Sequence, residues 1–179
     1  GANNGELYGF ENQSTISSPW QFTYLPTLLN NFDVGDNATP CFYDANGDDL
    51  EDLLVANRQG RISYYFNDGT ASSPSFVLNT ESIGNLDYEN QNDINFIDFQ
   101  LIELDGETQM YLGTNQSGLR RISNIDNNIH GTFTVEETDV MNLSHIKNTS
   151  PAIADLNNDG WEDLVVANGY LTNTRDDDL

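Results

Sequence analysis

The chain has 179 residues, enough for one sizeable domain or a few small repeats, and 37% of them are hydrophobic and 11% aromatic. Its formal charge is −23, from 29 acidic residues against 6 basic ones, which repels nucleic acid and anionic membrane surfaces. No apolar run reaches the roughly 18 residues that would insert in a membrane, and a single cysteine, Cys41, excludes an internal disulfide framework.

In chain order, residues 1–30 read as two strands: an alternating stretch at 5–12 and, after Ser17-Ser18-Pro19, an aromatic one at 20–24. Residues 38–80 read as four strands. A first strand at 40–43 runs into an acidic loop, followed by the apolar run Leu53-Leu54-Val55-Ala56, an aromatic strand at 60–67 and a short one at 76–78. Residues 94–137 read as a weaker copy, with strands at 96–104, 107–114, 118–124 and 132–136. Residues 149–171 supply two strands around a second acidic loop, and 172–179 form an acidic tail.

The copies are related by fixed offsets. Residues 40–57 laid over 151–168 are identical at ten of 18 positions with an offset of 111 throughout. Gly5, Asn12 and Ser17-Ser18-Pro19 match Gly60, Asn67 and Ser72-Ser73-Pro74 at an offset of 55. A period of about 55 residues carrying four short strands predicts an all-β fold of β-propeller blades, each a four-stranded antiparallel sheet. On this count the chain holds three blade-equivalents, short of the four or more that close a ring. Residues 1–30 are the last two strands of a blade, and 149–171 the first two of another. The ring is therefore expected to be incomplete, finished by further blades of a parent chain or by a homo-oligomer.

The acidic loops carry the chemistry. Side-chain oxygens fall at Asp44, Asn46, Asp48 and Asp52 in the first and at Asp155, Asn157, Asp159 and Asp163 in the second, at positions 1, 3, 5 and 9 of each. Calcium takes six to eight oxygen ligands, and a tight loop aims alternate side chains at one point. Position 7, Leu50 or Trp161, has no side-chain oxygen, so its backbone carbonyl is the expected further ligand, with Gly47 and Gly160 relieving the turn. An EF-hand needs a Glu at position 12 and flanking helices. That position is Val55 or Val166, each inside a β-type apolar run. Plain Asp/Asn turns are the bland reading, but they leave the repeated crowding of carboxylates unexplained. Two Ca2+ sites are expected, and none in the middle unit, where Asp105-Gly106 reads as a tight hairpin turn.

The leading Pro, the Asp-x-Asn-x-Asp-x-x-x-Asp-Leu loop, the apolar strand ending in Ala-Asn and the Gly-x-Ile-x-Tyr-Tyr-x-Asn strand at 60–67 resemble the VCBS/FG-GAP repeat family. These are the blades of integrin α-subunit propellers and of many secreted bacterial proteins. The resemblance implies a secreted or cell-surface protein, with a calcium in each loop joining the first two strands of a blade in a structural role.

No catalytic constellation stands out. His130 and His145, the only histidines, lie in separate polar stretches without a nucleophile spacing. Arg120-Arg121, the sole basic pair, reads as a solvated strand edge, and Cys41 as a buried inert thiol. Tyr8, Phe10, Tyr64, Tyr65, Phe66 and Trp161 are open between a glycan-binding surface and core. The expected function is a non-enzymatic scaffold for adhesion, binding a protein or glycan. The alternative is a non-catalytic part of the propeller of a secreted enzyme such as a polysaccharide lyase.

Overall fold

The computed structural model describes residues 5–29, 32–86, 98–115, 118–143 and 145–169. The acidic tail at 172–179 and the start of the strand expected at 96–104 lie outside them. Within them the chain is all-β apart from one 3-10 turn at Val140–Asn142. It forms twelve strands: β1 Gly9–Asn12, β2 Phe22–Leu25, β3 Thr39–Tyr43, β4 Asp52–Ala56, β5 Ile62–Asn67, β6 Phe76–Thr80, β7 Asp98–Leu104, β8 Glu107–Gly113, β9 Leu119–Ser123, β10 Thr134–Glu137, β11 Thr149–Ala154 and β12 Asp163–Asn168.

The strands pair in chain order and antiparallel. β3-β4-β5-β6 and β7-β8-β9-β10 are four-stranded meanders, and β1-β2 and β11-β12 are two-stranded sheets. Pro40 and Pro151 sit in β3 and β11, which are edge strands; a residue with no N–H is tolerated there because one side of the strand needs no ladder. In the second meander β7 and β8 are joined by Asp105-Gly106, whose φ angles of 53° and 79° are the two positive values of a tight hairpin turn.

Alternation along β4 explains its unbroken apolar run, which is buried on both faces. Leu54 and Ala56 point into a core that includes Ile62 and Tyr64 of β5, Phe99, Met110, Leu112 and Ile122 of the next meander, and Ile129 and Phe133 from its connections. Leu53 and Val55 point the other way, against Tyr65, Leu7, Val34 and Ala38. One core thus joins the two meanders, and the other lies between the first meander and the segments around β1. On the far side of the second meander, β11 lies against β7 and β8. The four sheets form a row, with β1–β2 at one end and β11–β12 at the other.

Where the second meander meets β11, two backbones come close. Thr149 Oγ1 accepts from Thr114 N at 2.9 Å and donates to Gly118 O at 2.6 Å, and Thr149 N donates to Thr114 O at 3.1 Å. A Cβ on Gly113 would lie 2.0 Å from Thr149 O, a backbone atom that cannot swing aside. Gly113→Ala is therefore expected to cost about 1–3 kcal/mol by overpacking, read as a lower urea midpoint.

Three sequence expectations need correction. Trp20 does not belong to β2; it has φ 65° and is exposed, so the strand begins at Phe22. Arg120 and Arg121 are half-buried on β9, an interior strand between β8 and β10, and not on a sheet edge. Cys41 is only half-buried, although burial still pushes its thiol pKa up. The aromatics divide: Tyr64 and Tyr65 are core, whereas Tyr8, Phe10 and Trp161 are exposed.

Candidate metal-binding loops

Residues 44–51 turn the chain from β3 into β4, and residues 155–162 turn it from β11 into β12. The strands on either side run in direct register, Tyr43 opposite Asp52 and Ala154 opposite Asp163. The ninth loop position therefore opens the second strand while the first follows the end of the first strand. Val55 and Val166, at position 12, lie inside β4 and β12, so the EF-hand reading fails on structure as it does on sequence.

The same set of hydrogen bonds recurs in both loops, displaced by 111 residues. Asp44 Oδ1 accepts from Asp48 N at 3.1 Å, as Asp155 Oδ1 does from Asp159 N at 3.2 Å. Asp44 Oδ2 accepts from Asp49 N, and Asp155 Oδ2 from Gly160 N, both at 2.9 Å. Asn46 and Asn157 accept from the N–H two residues on, as do Asp48 and Asp159, all at 2.9 Å. Position 9 closes the loop: Asp52 Oδ2 accepts from Ala45 N at 3.2 Å, and Asp163 Oδ2 from Leu156 N at 3.0 Å. These are stacked Asx turns, the local bonding that Asp and Asn offer a backbone leaving a strand.

Each loop needs two left-handed residues. They are Gly47 (φ 77°) and Asp49 (φ 67°) in the first, and their counterparts Asn158 (φ 61°) and Gly160 (φ 87°) in the second. Gly47 and Gly160 thus relieve different halves of the turn. Asp and Asn fill the other halves because they tolerate this region better than most side chains.

Asp52 is fully buried. Besides Ala45 N it accepts from Tyr64 Oη at 2.8 Å and from Asn67 N at 2.7 Å, so one carboxylate ties the loop to the middle and the end of β5. Burial and the Asp52 hydrogen bond together push the Tyr64 pKa well above the usual phenol range. Tyr64 and Asn67 are partners that the loop motif alone did not reveal; the signal was the Tyr and Asn at fixed places in the Gly-x-Ile-x-Tyr-Tyr-x-Asn strand. In the second loop Asp163 is half-exposed.

The middle meander uses another device. Asp126, beyond β9, accepts from Thr108 N at 3.0 Å and from the Tyr43 hydroxyl, while Tyr43 Oη and Thr108 Oγ1 lie 3.0 Å apart. Burial, with the Asp126 bond second, pushes Tyr43 up to about 12. Partial burial works to raise the Asp126 pKa, but the bonds from Thr108 and Tyr43 outweigh it and lower it. This carboxylate links the two meanders where the hairpin turn has replaced a loop.

The donor chemistry of the loops suits a hard cation. Asp44 Oδ2, Asn46 Oδ1, both Asp48 oxygens and Asp52 Oδ1 each accept a single bond, which leaves each of them a lone pair. With the position-7 carbonyl that set reaches the six oxygens at the low end of calcium's range. As the side chains stand, turned onto their own backbone, no three His, Cys, Asp or Glu residues converge as a metal-holding group among the described residues. Beside the first loop is a cleft of about 420 Å³ whose walls include Asn46, Tyr64, Phe66, Asn127 and His130. In comparisons with known proteins, no family model, no curated protein and no solved structure matches this chain.

Proposed function

We propose that the chain is a calcium-binding β-propeller module of the VCBS/FG-GAP type, working outside the cell as a scaffold for adhesion or for binding a protein or glycan. Its calcium is structural. The observation that carries this reading is the repetition of one hydrogen-bonded loop, with the same oxygens left available, at both places where an edge strand turns into an apolar strand. In each, Asp44, Asn46, Asp48 and Asp52, or Asp155, Asn157, Asp159 and Asp163, would hold the ion, joined by the carbonyl of Leu50 or Trp161. The bound cation would offset the mutual repulsion of carboxylates crowded into a nine-residue stretch. Extracellular modules bind calcium in the 10⁻⁴–10⁻³ M range, which fits a secreted or cell-surface setting. The row of antiparallel sheets packed side by side supports the propeller architecture.

On this reading the loop carboxylates hold the ion as well as their own backbone, and the histidines lie outside the loops: His130 lines the neighbouring cleft and His145 Nδ1 lies 3.0 Å from Asn142 O. Calorimetric titration with calcium tests the assignment. Two ions per chain are expected, and Asp48→Ala or Asp159→Ala should each leave one. Unchanged stoichiometry in both variants would reject these loops as the sites.

A further inference from the structure

The cleft beside the first loop is lined by residues from both four-stranded meanders. One wall comes from β5, where Tyr64 and Phe66 stand two residues apart on one face, and from Asn79 of β6. The other is the turn after β9, from Asn127 to Gly131. That turn is pinned at several points. Asp126 accepts from Thr108 N and from the Tyr43 hydroxyl. Asn128 Nδ2 donates to Asn124 O at 2.8 Å and to Thr132 O at 3.1 Å. Gly84 N donates to Ile129 O and Phe133 N donates to Gly84 O, both at 3.0 Å. Asn127 has a φ of 54°, a region that Asn tolerates. A wall held in this way presents its side chains to a ligand at little further cost of ordering.

The polar side chains on these walls are amides and an imidazole; no Lys, Arg, Asp or Glu lines the cleft. Among the described residues, Asn79, Asn127 and His130 make no side-chain hydrogen bond, and Asn128 Oδ1 accepts none. An amide offers both donors and an acceptor. A hydroxyl does the same, so a group of amides matches a molecule that carries several hydroxyls on a carbon skeleton. The half-buried Phe66 ring gives such a skeleton an apolar surface. Charge narrows the class further, because a chain with 29 acidic residues against 6 basic ones repels an acidic glycan. The volume of about 420 Å³ lies within the roughly 300–1,000 Å³ of small-molecule sites.

We propose that this cleft binds one unit of an uncharged sugar, its hydroxyls bonded by Asn79, Asn127, Asn128 and His130 and its carbon face set against Phe66. The inference rests on the glycan branch of the function proposed above and gives that branch a place in the fold. It does not use the carboxylates assigned to calcium, although Asn46 of the first loop lines the same cleft.

The test is an NMR titration of the isotope-labelled chain, in calcium and again in chelator. The probes are glucose, galactose, mannose, fucose and N-acetylglucosamine, with N-acetylneuraminic acid as the acidic comparison. One sugar unit is small, so at least one uncharged sugar is expected to bind with a Kd of about 1 mM. The side-chain amide signals of Asn79 and Asn127 should move with it. Asn79→Ala and Asn127→Ala, both at exposed positions, should each raise the Kd about tenfold and leave circular dichroism unchanged. No uncharged sugar bound at about 50 mM, tighter binding of N-acetylneuraminic acid, or alanine variants that bind as the native chain does would each overturn the proposal. Sugar bound by a chain that takes up no calcium would leave this inference standing and reject the calcium reading. Calcium bound in both loops with no sugar in the cleft would do the reverse.

Discussion

Replacing Asp52 by alanine is expected to cost about 3 kcal/mol or more, at roughly 1 kcal/mol or more for each of three buried donors left without an acceptor. The donors are Ala45 N, Tyr64 Oη and Asn67 N, and Asp52 is wholly buried. The loss falls on the link between the loop, β4 and β5, so the unfolding midpoint in urea should drop while the strand content of what remains folded is unchanged. Asp52→Asn keeps one acceptor oxygen and the side-chain volume, and should cost less than alanine. Asp163→Ala, at the matching position of the second loop, should cost less again, because the side chain is half-exposed and its described bond is the one from Leu156 N. Measured in chelator, the ordering Asp52→Ala, Asp52→Asn, Asp163→Ala follows from burial and partner number. Equal losses for the two alanine variants would show that the Asp52 network carries no special share of stability.

Much of the fold was legible because strand chemistry here is local. The run Leu53-Leu54-Val55-Ala56 has to be buried on both faces, which makes it an interior strand, and Asp105-Gly106 supplies the two left-handed residues a tight hairpin needs. Antiparallel neighbours in chain order follow from short connections. Other features depend on what lies across a sheet interface. Phe10 and Tyr65 hold matching places in the repeat, yet one is exposed and the other core, because among the described residues only β5 has a strand of the β4 kind beside it. Trp20 reads as a strand residue from its aromatic ring, but the backbone turns there with φ 65°.

The candidate site was legible to a similar depth. The spacing of the acidic residues identifies the turn, and both loops fold into the same hydrogen-bonded form. The spacing says nothing of the unequal burial of Asp52 and Asp163; Tyr64 and Asn67, which bond Asp52, come from the neighbouring strand β5. Nor does it reveal Asp126, whose role depends on Tyr43 and Thr108 arriving from different sheets.

Calcium withdrawal is the second large expected effect, because a ligand that binds only the folded chain stabilises it by mass action. At a hundredfold excess over the dissociation constant each proposed site would contribute roughly 2.7 kcal/mol, so two together would rival the stability of many small domains. The excess carboxylates sharpen the effect, since removing the cations returns their repulsion to the loops. Thermal unfolding of the native chain in millimolar calcium and in chelator is therefore the most direct test. The account predicts a midpoint several degrees lower in chelator, and no such difference in the Asp48→Ala, Asp159→Ala double variant. A native chain that melts at the same temperature in both buffers would contradict it.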